Sequence, residues 1–166
     1  AMLGFIPIMM PMLCVLVPLI GGTPMMFFMT KVNKFGMITI YSMIVGLFLW
    51  ITGMGYWPFI FGIVFGFLAD LIAKSGSYKS SKKAILSCGV FNILIFGNFV
   101  PLLINAQAYF ETRQSFGEDY INSLSEIMSQ TWLAPLLIAA CFVFGVVGAL
   151  IGKALLKKHF VKAGIA

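Results

Sequence analysis

The chain is poor in charge. Only 10% of its 166 residues are Asp, Glu, Lys or Arg, where a soluble domain carries about 25%. Its single histidine, His159, lies among lysines near the C-terminal end, so no pair of imidazoles is present to hold a metal. Its three cysteines, Cys14, Cys88 and Cys141, are odd in number, far apart and set in apolar runs. That excludes a disulfide scaffold and any CxxC-type site. No glycine-rich phosphate loop or Walker sequence is present either. These shortages exclude an ordinary cytosolic enzyme, and the expectation is a protein with no catalytic residues, no metal and no cofactor.

What is there is apolar. Hydrophobic residues make up 61% of the chain, which excludes disorder and points to an all-α integral membrane protein. Four stretches carry no charge: 1–30, 35–69, 84–110 and 127–152. A crossing needs about 20 apolar residues at about 1.5 Å each. The stretch 35–69 is too long for one crossing, and its middle, from Thr52 through Gly53 and Gly55 to Pro58, reads as a turn. The expected architecture is one transmembrane domain over 1–166 with five spans: Met9–Met29, Gly36–Ile51, Trp57–Ala73, Ala84–Ile104 and Trp132–Ile151.

Lysines orient these spans. Lys31, Lys34, Lys74, Lys79, Lys82, Lys83, Lys153, Lys157, Lys158 and Lys162 all fall on one side, and Arg113 alone falls on the other. The positive-inside rule makes the lysine side, and the C-terminus, cytoplasmic in a multi-pass cell-membrane protein. The net charge of +6 is thus a topology signal and a match to the lipid bilayer, not a nucleic-acid footprint. Five spans with the C-terminus inside put Ala1 outside. The expectation is therefore an upstream helix missing from this sequence, giving six spans.

Polar groups within the spans are scarce. Asp70 is the only acid there, and Lys74 four residues on suggests a local pair at the interface. Asn92, Asn98 and Asn105 lie in the fourth span, the last two on one face in its outer half. Pro18 and the run Gly21-Gly22-Thr23-Pro24 suggest a break inside the first span. Small residues form stripes at helical spacing, Gly62, Gly66, Ala69 and Ala73 in span three, and Cys141, Gly145, Gly148 and Gly152 in span five. Such stripes serve close helix packing, or present a smooth face to a partner subunit, for which Gly21, Gly22, Gly62 and Gly66 are the candidates.

The outer connection, 105–131, carries a helix of its own. Ser115 and Glu118 fit a capping box, and apolar residues from Phe116 to Met128 recur at helical spacing opposite Asp119, Asn122, Ser123 and Glu126. An amphipathic helix over 116–130 would suit a lid. Trp50, Tyr56, Trp57, Tyr109, Phe110 and Trp132 crowd the same side. The expected substrate site lies between the outer ends of spans two to five. Tyr56, Trp57 and Trp132 would stack on the ligand there, and Asn98 and Asn105 would orient it.

A family resemblance joins these features. The segments 2–7, 18–24, 30–36 and 62–70, with Lys74-Ser75-Gly76, resemble the Trep_Strep (MptE-like) family of substrate-binding S components in energy-coupling-factor (ECF) transporters. The resemblance implies a six-helix S-component bundle of which five spans are present here. It also implies that a micronutrient (a vitamin, a precursor or a tetrapyrrole) is captured outside. Its partners would be a scaffold membrane subunit and two cytosolic ATPases that supply the energy. Met9, Met10, Met12 and Met54 near the outer side bring haem among the possible substrates. The alternative is a structural or assembly protein of the membrane without a ligand.

Overall fold

The computed structural model describes residues 9–31, 34–104, 109, 118–130 and 132–156. Among them every regular element is helical: α1 (Met9–Met29), α2 (Met37–Leu49), α3 (Trp57–Ser75), α4 (Ser81–Asn92), α5 (Val100–Ile104), α6 (Glu118–Met128) and α7 (Leu133–Leu155). Four are long and apolar enough to cross a membrane: α1, α2 with its terminal turn, α3 and α7. Ile20, Ile40, Ile44, Phe48, Ile51, Leu136 and Leu150 point outward in these helices. A surface of that kind is stable in lipid and would aggregate in water.

The turn expected within 52–58 forms as a wide π turn over Trp50–Met54, and Gly53 and Gly55 there have φ of +87° and +88°. Side chains rarely adopt that backbone conformation, so glycine allows α2 and α3 to fold back as a hairpin. Pro58 then starts α3, where its missing N–H costs nothing.

Two expectations are corrected. The first helix is not broken at Pro18 or at Gly21–Pro24; α1 runs through both prolines. It tolerates them because α7 lies directly on its backbone, with Gly148 beside the carbonyls of Pro18 and Leu19. The span expected at Ala84–Ile104 is not one helix. It divides into α4, a 3-10 segment over Ile93–Asn98 and the short α5. Pro101 accounts for the break just before α5, because it has no N–H to continue the winding and crowds the carbonyl of Gly97 four residues back.

Small residues set the helix spacing. A Cβ on Gly148 would lie 2.6 Å from the carbonyl oxygens of Pro18 and Leu19, and one on Gly152 would lie 2.8 Å from Thr23 Cα. Gly22 meets the Gly148 backbone from the other side. Between α2 and α3, Gly62 faces the Ser42 carbonyl, Gly66 faces the Ser42 side chain, and Gly46 faces the backbone of Pro58 and Phe59. The buried Ser42 hydroxyl donates to the Gly62 carbonyl at 2.7 Å, and Ser87 on α4 donates to Ala69 on α3 at 2.7 Å. Stacked rings of Phe28, Tyr41 and Phe91, with centroids 4.7 and 5.5 Å apart, tie α1, α2 and α4 together.

Of the four docking candidates, Gly22, Gly62 and Gly66 pack against the chain's own helices, whereas Gly21 faces open space. Gly148→Leu should therefore cost at least about 3 kcal/mol, because the clash is with backbone that cannot rotate away. Gly21→Leu should leave stability unchanged or slightly raised. Thermal unfolding of the two variants in detergent, followed by light scattering, checks the contrast.

Candidate functional site

At the end of the bundle away from the lysines, an apolar cavity of about 170 Å³ opens between α1, the end of α2 and the broken helix. Leu13 and Val17 of α1, Leu49 of α2 and Met54 of the π turn form one wall, and Ile95, Asn98, Phe99 and Tyr109 form the other. The sequence places these residues together through two irregularities. The π turn brings Met54 back over α1, and the 3-10 winding before Pro101 swings Asn98 into the wall.

Beside Tyr109, Asn98 is a polar residue of this cavity. Its Nδ2 donates to the Ile95 carbonyl at 3.1 Å, which fixes the side chain. Its Oδ1 is sealed from solvent and has no hydrogen-bond partner among the described residues. A buried acceptor left in that state costs about 1–3 kcal/mol.

Of the residues expected to form the site, the structure brings Asn98 to this cavity and not the aromatics. Tyr56 and Trp57 stack on each other with centroids 5.3 Å apart, and neither lines the wall; Tyr56 and Trp132 are more than half exposed. The turn aims these rings outward because Pro58 and Gly97 pack closely behind them, a Cβ on Gly97 falling 2.9 Å from Pro58 Cα. Asn105 and the capping-box residue Ser115 lie outside the described residues.

The amphipathic helix is present as α6. Its apolar side buries Leu124 and Met128 in one cluster with Leu102 of α5 and Leu133 and Leu137 of α7. No described residue of α6 lines the cavity. Leu13, Val17, Leu49, Ile95 and Phe99 escaped the sequence reading, since nothing in their type separates a cavity wall from a core.

The second buried polar centre is Asp70, and here the local pair with Lys74 is corrected. Asp70 is fully buried, and its carboxylate crosses to the start of α2 instead. Oδ2 accepts from Gly36 N at 2.7 Å, Thr39 N at 3.3 Å and Thr39 Oγ1 at 3.2 Å, while Oδ1 accepts from Tyr78 Oη at 2.9 Å. The carboxylate thus caps α2 from another helix, where the positive end of the helix dipole favours it. Lys74 turns away to sit 4.7 Å from the centre of the Phe35 ring. No group of three or more metal-ligating side chains occurs among the described residues.

Residues 1–162 match the family model of Trep_Strep, described as a hypothetical bacterial integral membrane protein. Comparison with curated proteins and with solved structures finds no match.

The Asp70 centre makes a pH prediction. Burial, followed by the hydrogen bond and the charge of Asp70, raises the Tyr78 phenol from 10.0 to about 12. A raised folded-state value favours the protonated form. The contribution of Tyr78 to stability is therefore complete below pH 10 and is lost as pH climbs towards about 12. Tyr78→Phe should remove that alkaline loss, which unfolding midpoints measured between neutral pH and pH 12 would register. Asp70→Ala, which strands four donors, should cost about 3 kcal/mol at neutral pH.

Proposed function

The chain belongs to the Trep_Strep family of bacterial integral membrane proteins, and from that premise we propose that it is a substrate-binding subunit of the ECF type. It would hold a small micronutrient in the cavity at Asn98 and rely on a scaffold subunit and two cytosolic ATPases for energy. The observation that carries this reading is the unpartnered Asn98 Oδ1 in an apolar wall. Packing alone gains nothing from such a group, whereas a ligand donor makes it favourable.

Two further observations support it. Asp70, the acid within the described spans, is engaged as a helix cap, which leaves it unsuited to relaying protons for an ion-coupled carrier. The cavity, at about 170 Å³, is below the roughly 300–1,000 Å³ of drug-sized sites, which favours a single small ring over a tetrapyrrole. In this reading the divided segment from α4 to α5 completes a fifth crossing. The lysine-rich end, with the C-terminus, faces the cytoplasm, and the cavity faces outward. Gly21, whose face is open, is the remaining glycine of the first span able to meet the scaffold.

Mass spectrometry of small molecules that co-purify with the chain identifies the ligand. Asn98→Leu should then weaken its binding by about tenfold or more, the equivalent of one lost hydrogen bond of about 1.4 kcal/mol. Val17→Phe, which fills the cavity, should abolish binding without loss of fold. Uptake that persists in cells lacking the partner ATPases would contradict the assignment to the ECF class.

A further inference from the structure

At the lysine-rich end a second and larger cavity, about 370 Å³, lies between the end of α1, the turn before α4 and the end of α7. Its character is two-sided. Met26, Met29, Ala84 and Leu156 give it an apolar wall, while Lys79 and Lys153, from different elements, stand at its rim. Ser80 and Ser81, at the start of α4, also line it.

Three observations point to an anion. The Ser81 hydroxyl oxygen is sealed from solvent and has no hydrogen-bond partner among the described residues. Ser80 occupies the N-cap of α4 in extended conformation and makes no side-chain capping bond, so the positive end of this 12-residue helix is not capped by it. The two ammonium groups add positive charge, and Asp70, the acid nearest in sequence, is already engaged by Gly36, Thr39 and Tyr78. Tyr78, whose hydroxyl donates to Asp70, also lines the cavity.

We propose that this cavity binds the phosphate-bearing headgroup of an acidic phospholipid, with Lys79, Lys153, Ser81 and the start of α4 as its donors. The phosphate sits at the rim, and the glycerol and upper acyl carbons lie along Met26, Met29 and Leu156. A free phosphate shares the polar chemistry but has no use for the apolar wall, which is why the lipid is preferred. The site joins α1, α4 and α7 from beneath, so its occupancy reports on the assembled bundle. It is distinct from the Asn98 cavity, and its fate does not depend on the reading given to that cavity.

The test uses the full chain in a neutral detergent, titrated separately with phosphatidylglycerol, phosphatidylcholine and inorganic phosphate, with thermal midpoint and native mass spectrometry as readouts. Phosphatidylglycerol should raise the midpoint and remain bound, and phosphatidylcholine should do neither. The double variant Lys79→Gln/Lys153→Gln should weaken phosphatidylglycerol binding by about thirtyfold, two lysines' share of headgroup attraction. Ser81→Ala should weaken it by several-fold, and Lys34→Gln, an exposed lysine outside the cavity, should leave it unchanged. An equal effect from inorganic phosphate would overturn the lipid assignment. An equal loss from Lys34→Gln would show general charge attraction and overturn the site.

Discussion

Direct backbone contact between helices is the constraint on which this bundle depends. In lipid, burying apolar side chains gives helices little reason to associate, since the tails are as apolar as leucine. Close approach restores an attraction through dense van der Waals contact and carbonyl-edge contacts. Gly22, Gly148 and Gly152 allow it between α1 and α7, and Ser42, Gly46, Gly62 and Gly66 allow it between α2 and α3. With those two pairs fixed, α4 docks through Ser87 and Asn92, whose side chain fills the space left by Gly145. Everything irregular in the fold, the π turn and the 3-10 segment included, is held in place by these regular seams.

Buried polar groups in this bundle are of two kinds. Asp70 has every available oxygen engaged, so it acts as a fastener between α3 and α2 and contributes rigidity. Asn92 is similarly satisfied, donating to the Cys88 carbonyl at 2.8 Å. Asn98 Oδ1, Ser81 Oγ and Ser125 Oγ have no partner among the described residues; Asn98 and Ser81 are cavity-lining residues, and Ser125 lines neither cavity. Buried groups that close on themselves build the scaffold.

Much of the scaffold was legible in the sequence because charge and turn chemistry are read along the chain. The uncharged runs located α1, α2, α3 and α7 to within a few residues, and Gly53, Gly55 and Pro58 located the hairpin. Proline was harder to read, since its effect depends on neighbours. Pro18 and Pro24 leave α1 continuous under the cover of α7, while Pro101 divides the later segment. The Lys74 spacing suggested a partner for Asp70, but a cross-helix cap needs the fold of the Phe35–Gly36 turn, where Gly36 has φ of +94°. For the site, an amide in an apolar span was a readable signal and Asn98 was found. Its apolar companions were not, because Val17 or Phe99 in a cavity wall has the same chemistry as in a core.

Sidedness is the central claim, since it decides whether the Asn98 cavity collects its ligand from outside. Cys14, Cys88 and Cys141 are fully buried, so an introduced cysteine can be labelled against a silent background. Met54, in the cavity wall, and Lys79, at the opposite end, are both exposed enough to report. The decisive measurement is labelling of Met54→Cys and Lys79→Cys by a membrane-impermeant maleimide in right-side-out vesicles. The account predicts that Met54→Cys reacts at once and Lys79→Cys only after the vesicles are opened; the reverse order would place the cavity on the cytoplasmic face and contradict it.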